Sequence, residues 1–429
     1  MNCTQAIEYI HSLERFGIKP GLERVEELCR ILGNPQKNLK FVHVAGTNGK
    51  GSTSTMISEI LIKAGYNTGL FTSPYVVDFR ERIKFNGSMI EPEELASCVE
   101  QVKAAVDILN KNDMQPTEFE VITAAAFVYF KKKNCDIVVL EVGLGGRLDS
   151  TNVIDCPEVN VLTSISKDHT AVLGDTLTLI AGEKCGTLKP GGTCVCYPEQ
   201  SDEAKAVIES TCEKLENRLV VPDLTKLSII SSDAAFSQFE YKGLNTTLPL
   251  PGVHMIKNAV TAVEAIGVLR EKGYVISDDN IISGMADCAM PARLETVREN
   301  PLVIIDGGHN EGCALALAKY VRENLGGRKI TAVMSMMADK DYGTYLSITA
   351  PLFGRIIASH TAVARSLSAD DLRFAASRYC NNCVSVADSF EAVKLALESA
   401  GKDSVIIICG SFYFAGEVRP YLTDGEKTE

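Results

Sequence analysis

The chain has 429 residues, of which 45% are hydrophobic and 23% are charged, so it is long enough to fold around two or three hydrophobic cores. Its formal net charge of -12 opposes binding to a polyanion, and we therefore expect neither nucleic acid nor an anionic membrane surface as a partner. No uncharged apolar run approaches the ~20 residues that a helix needs to span a bilayer.

The chain begins MNCTQAIEYIHSLERFG, in which charged residues interrupt the apolar ones, unlike a secretory signal, and we expect a cytoplasmic protein. Fourteen cysteines are scattered along it, many within apolar stretches, which is typical of buried reduced thiols. The one CxxC motif, Cys380 to Cys383, has no second pair at zinc-finger spacing. We therefore favour a loop beside a strand over a metal or redox site.

In the first half, apolar strand-like runs alternate with amphipathic helical stretches, which is typical of a mostly parallel sheet covered by helices. The predicted strands are residues 38–46, 134–146, 158–165 and 193–198. The predicted helices are residues 52–64, 92–110 and 118–132. Polar and apolar residues alternate over 226–250, which predicts an antiparallel hairpin appended to the sheet.

The alternation restarts at Pro301 with five predicted strands. One strand precedes each of four predicted helices, and the last lies near the end of the chain. These helices are residues 311–325, 342–350, 368–379 and 388–400. Five strand–helix units in about 130 residues make a complete small domain. We therefore predict an α/β fold with two domains, residues 1–295 and 296–429.

The sharpest local signal is HVAGTNGKGST, residues 43–53, between an apolar strand and a helix with one apolar face. This order points backbone N–H groups and a helix N-terminus at a phosphate, while Lys50 adds a point charge and Ser52 or Thr53 a hydroxyl. The spacing departs from the common G-x-x-x-x-G-K-[ST] loop, because its first glycine is missing and Gly51 follows the lysine. The alternative is a tight turn with an exposed lysine.

A second signal is EVGLGGRLDSTN, residues 141–152, which places Glu141 at the end of a strongly apolar strand. In an open α/β sheet this end of a strand faces the ligand crevice. A carboxylate there can hold magnesium against nucleotide phosphates, because hard cations prefer carboxylate oxygens and retain waters. The alternative is a solvated glutamate at the rim of the sheet.

Residues 166–192 add His169 just after another strand and Lys184 on a following amphipathic helix. His169 could ligate a second divalent ion through a neutral imidazole, although taken alone a hydrogen-bonded loop histidine is the more common arrangement. For Lys184 the alternative is an ordinary helix lysine that pairs with Glu183 or lies over apolar surface.

Several motifs follow one another over nearly the whole chain: GTNGKGS, TSPYVVDFRERI (72–83), EVGLGGRLD, DHTAVLGDTLTLIAGEK, GVHMIKNA (252–259), PARLE (291–295), DGGHN (306–310) and ADKD (338–341). In this order they resemble the Mur-ligase superfamily. The TSP…ERI and EVGLGGRLD segments are most similar to its folylpolyglutamate synthase and dihydrofolate synthase branch. The series is far more specific than any single motif.

The resemblance implies a P-loop ATPase-like first domain, with helices on both faces of its sheet, and a Rossmann-like second domain. It also implies ATP as a substrate with two magnesium ions. Ser73, Glu141 and His169 match the magnesium ligands of the family. The positions that match its nucleotide contacts are Thr47, Asn48, Gly49, Lys50, Gly51, Ser52, Asn258, Arg293 and Asp306.

Catalytic roles are implied for Lys50, Lys184 and His309. Lys184 matches a lysine that is carbamylated in such enzymes, which turns a cation into an anion able to ligate the second magnesium. His309 matches an interdomain residue near the γ-phosphate. The positions that match the lining of the pteroate pocket are Arg82, Thr117, Phe119 and Asp149.

The sequence departs from the family pattern at four places. Tyr75 follows TSP where many relatives have histidine, and Met255 stands where many have glutamine. PGR becomes PAR, with Ala292 in the middle, and DGAHN becomes DGGHN, with Gly308. The Tyr75 change lies beside the substrate loop and bears on pterin contact.

The resemblance implies an ATP-dependent amide ligase that adds L-glutamate to a folate or dihydropteroate carboxylate, or to both, through an acyl phosphate. We expect a monomer, and product chain length stays open. A peptidoglycan-precursor ligase of the same superfamily would need a separate ~100-residue domain before the phosphate loop, which begins near residue 46. A P-loop switch NTPase would show the standard loop spacing and an Asp-rich Walker B strand, and neither is apparent.

Overall fold

The computed structural model describes residues 1–13, 17, 20–233 and 235–423, which form three β-sheets with helices packed around them. Residue 234, in the predicted hairpin, and residues 424–429, at the end of the predicted second domain, lie outside the described residues. In the described ranges, no helix combines the length and apolar character needed to cross a membrane. All fourteen cysteines are free thiols, and most are buried.

The strands of the first sheet are β1 (Phe41–Ala45), β2 (Thr68–Phe71), β3 (Ile83–Phe85), β4 (Ser88–Met89), β5 (Ile137–Glu141), β6 (Val159–Leu162), β7 (Thr193–Cys196) and β8 (Arg218–Val220). Their order is β4-β3-β2-β5-β1-β6-β7-β8, and only the edge strands β3 and β4 pair antiparallel. The four predicted strands are confirmed as β1, β5, β6 and β7. The other four are short, and the sequence prediction missed them.

The helices of this half are α1 (Cys3–His11), α2 (Glu23–Ile31), α3 (Lys50–Lys63), α4 (Pro92–Asn110), α5 (Glu118–Lys132), α6 (Thr170–Leu173), α7 (Leu177–Cys185), α8 (Asp202–Lys214), α9 (Val253–Glu271) and α10 (Asp278–Ala286). Alternate residues of the buried strands pack against opposite helix layers. Val138 and Leu140 join the core with α1, α2, α4 and α5, whereas Ile137 and Val139 join that with α3, α9 and α10. Helices therefore cover both faces of the sheet, as predicted.

A small antiparallel sheet follows, formed by β9 (Leu227–Ser232), β10 (Ser237–Tyr241) and β11 (Leu244–Leu248) in the order β11-β10-β9. The predicted hairpin is therefore a three-stranded sheet that does not pair with the first sheet. Every second residue of β10 and β11 is buried, and Phe239 and Tyr241 join the core of α9 and α10. Packing against these helices attaches the small sheet to the domain.

The last sheet is formed by β12 (Glu295–Glu299), β13 (Leu302–Asp306), β14 (Ile330–Met334), β15 (Arg355–Ala358), β16 (Cys383–Ser385) and β17 (Val405–Cys409). Its helices are α11 (Glu311–Asn324), α12 (Tyr342–Thr349), α13 (Ala369–Ala376), α14 (Ser389–Glu398) and α15 (Phe412–Thr423). The strand order is β12-β13-β17-β14-β15-β16, with β12 antiparallel and the rest parallel. The five strand–helix units are confirmed, and CxxC lies at the start of β16.

One close contact joins the two halves. Gly416 of α15 lies against the backbone of Val76, in the loop that follows β2, and a Cβ at Gly416 would overlap the carbonyl oxygen of Val76. The Val76 N–H donates to Glu81, whose carboxylate also accepts the N–H groups of Val77 and Asp78. The loop is therefore held by Glu81 on one side and by α15 on the other.

We predict that Gly416→Ala destabilises the protein by about 1–3 kcal/mol, because the added methyl group must displace α15 from the loop. Gly267→Ala, in the interior of α9, is the matched control, since its new Cβ meets no atom within 4 Å. It should be neutral or stabilise by about 0.5–1 kcal/mol through helix propensity. Urea unfolding of both variants measures the difference. Equal stability of the two variants would contradict this account of the contact.

Candidate active site

The phosphate loop lies between β1 and α3, where the sequence predicted it. Gly49 precedes the helix with φ of 85°, and Lys50 is its first residue. The backbone N–H groups of Thr47 and Asn48 donate to the carbonyl of Ser164, at 2.8 and 3.1 Å, which fixes the loop to the segment after β6. The Lys50 Nζ donates to the Thr47 carbonyl at 3.2 Å, so the ammonium lies over the loop.

Two glycines of the loop are required by close approach. A Cβ at Gly46 would overlap the Thr163 hydroxyl, and a Cβ at Gly49 would lie 2.6 Å from the Asn258 Oδ1. Both residues also have positive φ, at 144° and 85°. Asn258, predicted from the resemblance to contact ATP, therefore lies directly against the loop and is 4% exposed. Residues 46–52 line the crevice, so the start of α3 lies at its wall, where a helix N-terminus can bind an anion.

Glu141 lies at the end of β5 in the middle of the sheet and is only 3% exposed, so the alternative of a solvated rim glutamate is wrong. Its Oε2 accepts the Ser73 backbone N–H at 3.1 Å. Burial raises the pKa of the Glu141 carboxyl, and the charges of Lys50 and Arg293 oppose this rise. A buried carboxylate of this kind is stabilised by a bound cation, which fits the predicted magnesium role.

Lys184 lies on α7 and is 3% exposed. Its Nζ donates to the Gly46 carbonyl at 2.7 Å, while Glu183 pairs with Arg147 instead. Burial, together with repulsion from the Lys50 ammonium, lowers the pKa of Lys184 to about 7. Lys184 is therefore not the surface helix lysine of the alternative interpretation, and a large fraction of its amine is neutral near pH 7.

His169 does not join Glu141 but lies beside an acid and a cation that the sequence prediction did not single out. The Lys340 Nζ is 2.7 Å from the Asp168 Oδ1 and 3.2 Å from the His169 Nε2. Burial lowers the pKa of His169 to about 4, so its imidazole is neutral. Although burial opposes it, His309, whose Nε2 lies 3.6 Å from the Asp168 Oδ2, and the charge of Lys340 hold the pKa of Asp168 well below its usual range.

Asn310 extends this cluster and connects the two halves. Its amide donates to the Asp168 Oδ2 at 3.0 Å and to the Asn48 Oδ1 at 2.9 Å, and Asn48 donates back to the Asn310 Oδ1 at 3.2 Å. The reciprocal amide pair joins the phosphate loop to the start of α11. Asp168, Asn310 and Lys340 all lie within motifs that carried the resemblance, but nothing in the sequence indicates that these motifs meet.

Arg293, at the boundary between the predicted domains, and Asp306, in the second domain, also contribute to the site. The Arg293 guanidinium lies 4.2 Å from the centre of the Phe412 ring, and Asp306 accepts the N–H groups of Leu294 and Gly308 at 3.2 and 3.0 Å. Burial raises the pKa of Asp306, and the charge of Arg293 opposes this rise. Both residues line the crevice, as does His309.

Two departures from the family pattern have a structural account. Ala292 has φ of 56°, a conformation that glycine adopts freely and that costs an L-residue about 1–2 kcal/mol. A Cβ at Gly308 would lie 2.6 Å from the Cβ of Cys313, so any side chain larger than that of glycine would collide with Cys313.

The predicted pteroate residues line the other end of the crevice. Arg82 lies 5.2 Å from the Tyr75 ring centre and 5.5 Å from that of Phe79, and its Nε has no partner among the described residues. The Phe119 ring covers Gly143, where a Cβ would overlap it. The Thr117 hydroxyl caps α5 by accepting the Glu120 N–H at 3.3 Å, which leaves its own proton for another acceptor.

These groups face one cavity of about 820 Å³ between the two halves, whose walls include the phosphate loop, Glu141, Lys184, His309 and the pteroate residues. In the part of the chain that the structure describes, no group of three or more His, Cys, Asp or Glu side chains is placed to hold a metal ion. A magnesium ion at Glu141 would therefore complete its shell with the Ser73 hydroxyl, waters and phosphate oxygens.

Comparison with known proteins identifies this class of site. Residues 44–266 match the family described as Mur ligase middle domain, and residues 292–412 match the Mur ligase, glutamate ligase domain. The dihydrofolate synthase/folylpolyglutamate synthase of Bacillus subtilis (strain 168) is 37% identical over 430 residues, which cover 97% of this chain and 98% of that protein.

Solved structures agree with this assignment. One of Mycobacterium tuberculosis folylpolyglutamate synthase, complexed with ADP and AMPPCP, is similar with a TM-score of 0.89 and 28% identity over 98% of both chains. Another, of E. coli FolC in complex with DHPP and ADP, has a TM-score of 0.87 and 30% identity over 100% of this chain and 99% of that one. The chain belongs to the folylpolyglutamate synthase/dihydrofolate synthase family of the Mur ligases.

The pKa of Lys184 predicts a pH-dependent stability. Because its pKa falls from 10.5 unfolded to about 7 folded, the folded state binds fewer protons between these values. Stability from this group therefore rises with pH across the window and is lowest below about pH 7, with a slope of up to about 1.4 kcal/mol per pH unit. Lys184→Met removes the buried charge, and its gain in stability over the wild type should be largest at the lowest pH measured and fall as the pH rises.

Urea unfolding from pH 6.5 to 9.5, in buffer free of carbon dioxide, measures this difference. The control is Lys205→Met, at an exposed lysine of α8. Its curve should run parallel to that of the wild type, whereas the Lys184→Met curve should converge with the wild-type curve as the pH rises. A parallel Lys184→Met curve would show that Lys184 is not a buried, partly neutral amine.

Proposed function

We propose that this protein is an ATP-dependent ligase that joins L-glutamate to the carboxylate of a folate, of dihydropteroate, or of both, through an acyl phosphate. One observation supports this most strongly. The cavity that the predicted pteroate residues line is also lined by the phosphate loop and Glu141 of the first half. Its other walls include Arg293, at the boundary between the halves, and Asp306 and His309 of the second half. A nucleotide and a second anionic substrate can therefore meet there.

The chemistry explains why both must be present. A carboxylate does not react with an amine at pH 7, because its oxygen is a poor leaving group, and transfer of the γ-phosphoryl group of ATP converts it into a good one. The loop N–H groups, the α3 N-terminus and Lys50 stabilise the charge that spreads over the transferring phosphoryl group. The glutamate amine then attacks the acyl carbon and displaces phosphate.

Magnesium fits the residues present. Glu141, with the Ser73 hydroxyl, would hold one ion. The resemblance assigns a second ion to His169, whose Nε2 would have to release the Lys340 ammonium in order to bind it. When bound, magnesium supplies positive charge that neutralises the phosphate oxygens. The two halves line the cavity from opposite sides, and their closure on bound substrates would exclude water from a reactive acyl phosphate.

We propose that the pocket around Tyr75 and Arg82 receives the pteridine end of the substrate, which is dihydropteroate or a folate that already carries glutamate. A monomeric state and a cytoplasmic location also stay predictions. A P-loop switch NTPase is disfavoured, because residues 44–266 and 292–412 match the two Mur ligase domains.

Measurement of ADP release by the purified protein tests the proposal. With ATP, magnesium and a saturating pteroate or folate substrate, full-rate ADP production should require glutamate, because only acyl transfer to an amine completes the cycle. Each substrate is assayed separately. A rate that is indifferent to glutamate with every substrate would contradict ligase activity.

We predict that Lys50→Ala lowers turnover at least ~100-fold while the protein stays folded, because a charge is lost from the transition state of phosphoryl transfer. Lys394→Ala is the matched control, since Lys394 is an exposed lysine of α14 that pairs with Glu391. Steady-state rates and thermal melts of both variants give the comparison. A folded Lys50→Ala enzyme with near-normal turnover would refute the role of Lys50.

We also propose that Lys184 is carbamylated in the active enzyme. Carbon dioxide adds to a neutral amine, and the pKa of about 7 makes that form available near neutral pH. As an unmodified ammonium, Lys184 would add positive charge beside Lys50 and repel a magnesium ion. As a carbamate it would bring an anion to the loop, where a second cation needs a ligand.

Lys184→Ala should therefore lose most activity and regain part of it with added short carboxylates such as acetate, which can replace the missing anion. Density in an experimental structure of the active enzyme should extend beyond Nζ as a planar group of three atoms. An unmodified lysine in a well-resolved active enzyme, or wild-type turnover of Lys184→Ala, would contradict carbamylation.

A further inference from the structure

A chain of buried hydrogen bonds connects β1 to the pteroate end of the cavity. The His43 Nε2 lies 2.9 Å from the Thr151 Oγ1, and the Thr151 hydroxyl donates to the Asp149 Oδ1 at 2.6 Å. His43 is 1% exposed, Thr151 is fully buried and Asp149 is 6% exposed. Neither His43 nor Thr151 lines the cavity, so neither contacts a substrate there directly.

The direction of each hydrogen bond follows from its partners. Asp149 accepts the backbone N–H groups of Thr151 and Leu144, at 3.0 and 2.8 Å, so its carboxylate acts as an acceptor. The Thr151 hydroxyl proton therefore points to Asp149, and its oxygen accepts from His43. This requires the imidazole tautomer with the proton on Nε2, which leaves Nδ1 without a partner among the described residues.

The arrangement also determines which part of Asp149 is left for a ligand. A carboxylate offers about four lone-pair positions. Thr151 occupies both positions of Oδ1, and Leu144 occupies one position of Oδ2. One acceptor position at Oδ2 therefore stays available at the edge of the cavity that Asp149 lines.

We propose that His43 and Thr151 are positioning residues, which fix the Asp149 carboxylate so that its remaining Oδ2 acceptor position receives an N–H donor of the pteroate ring system. This inference rests on the proposed function, since it assumes a pteroate-type substrate. His43 orders the Thr151 hydroxyl, and Thr151 in turn prevents rotation of the carboxylate. This chain of hydrogen bonds from His43 through Thr151 to Asp149, called the relay below, supports substrate binding and has no part in the phosphoryl transfer itself.

Thr151→Val, which removes the hydroxyl at nearly constant volume, tests the relay beside Thr151→Ser, which retains it. With saturating ADP and magnesium, calorimetric titration should show the Kd for folate or dihydropteroate raised at least ~10-fold by Thr151→Val and within ~3-fold of wild type for Thr151→Ser. The Kd for ADP should be unchanged in both variants. In histidine-labelled protein, the ¹⁵N signal of a protonated His43 Nε2 should shift in Thr151→Val.

A second pair of variants covers the case in which Thr151→Val does not fold. His43→Leu removes the donor to Thr151, whereas His43→Gln can supply an amide N–H, so only the leucine variant should weaken pteroate binding. If the wild type binds folate or dihydropteroate and Thr151→Val or His43→Leu binds it equally well, the relay is wrong while the ligase proposal stands. If the wild type binds neither compound, both proposals are wrong.

Discussion

Charge burial at one point of the fold is the constraint on which the rest of this structure depends. Glu141 and Lys184 are buried around the phosphate loop, and Asp306 is partly buried nearby, where an uncompensated charge is expensive. No pair of them forms a simple salt bridge. Instead, each is balanced by backbone groups or by a more distant charge, as Glu141 is by the Ser73 N–H and Lys50.

This partial compensation explains the chemistry. A site whose acids are fully paired has little affinity for a cation, whereas a buried acid with one N–H partner retains lone pairs for magnesium. The same desolvation lowers the pKa of Lys184 towards neutrality and makes its amine reactive. Binding of ATP and metal would supply the missing charges, so the site gains electrostatic stability only when its substrates are present.

The sequence predicted the parts of the fold with strong periodicity, and it predicted the phosphate loop from local pattern alone. It missed β2, β3, β4, β8 and β12, whose sequences show neither a long apolar run nor a sustained alternation of polar and apolar residues. The alternation over 226–250 correctly predicted antiparallel pairing. The packing of this small sheet against α9 and α10 is a tertiary contact that alternation does not reveal. Glu141 was correctly located, since the end of a parallel strand is readable from the chain.

Pairings between distant segments were beyond the sequence. Asp168 is 142 residues from Asn310 and 172 residues from Lys340, and no local rule brings them together. His43 shows the same limit, because a histidine within an apolar strand reads as core until its partner, Thr151, is known. The family resemblance supplied residue roles, whereas the geometry supplied the burial and the tautomer.

The most direct test of the central claim, that the carboxylate is activated by phosphorylation, follows an oxygen atom. The protein is given a folate or dihydropteroate labelled with ¹⁸O in its reacting carboxylate, together with ATP, magnesium and glutamate. Inorganic phosphate is then analysed by mass spectrometry. Transfer of one labelled oxygen to phosphate for each amide formed is the predicted result, because the acyl phosphate oxygen leaves with the phosphoryl group. Amide formation with unlabelled phosphate would contradict the account.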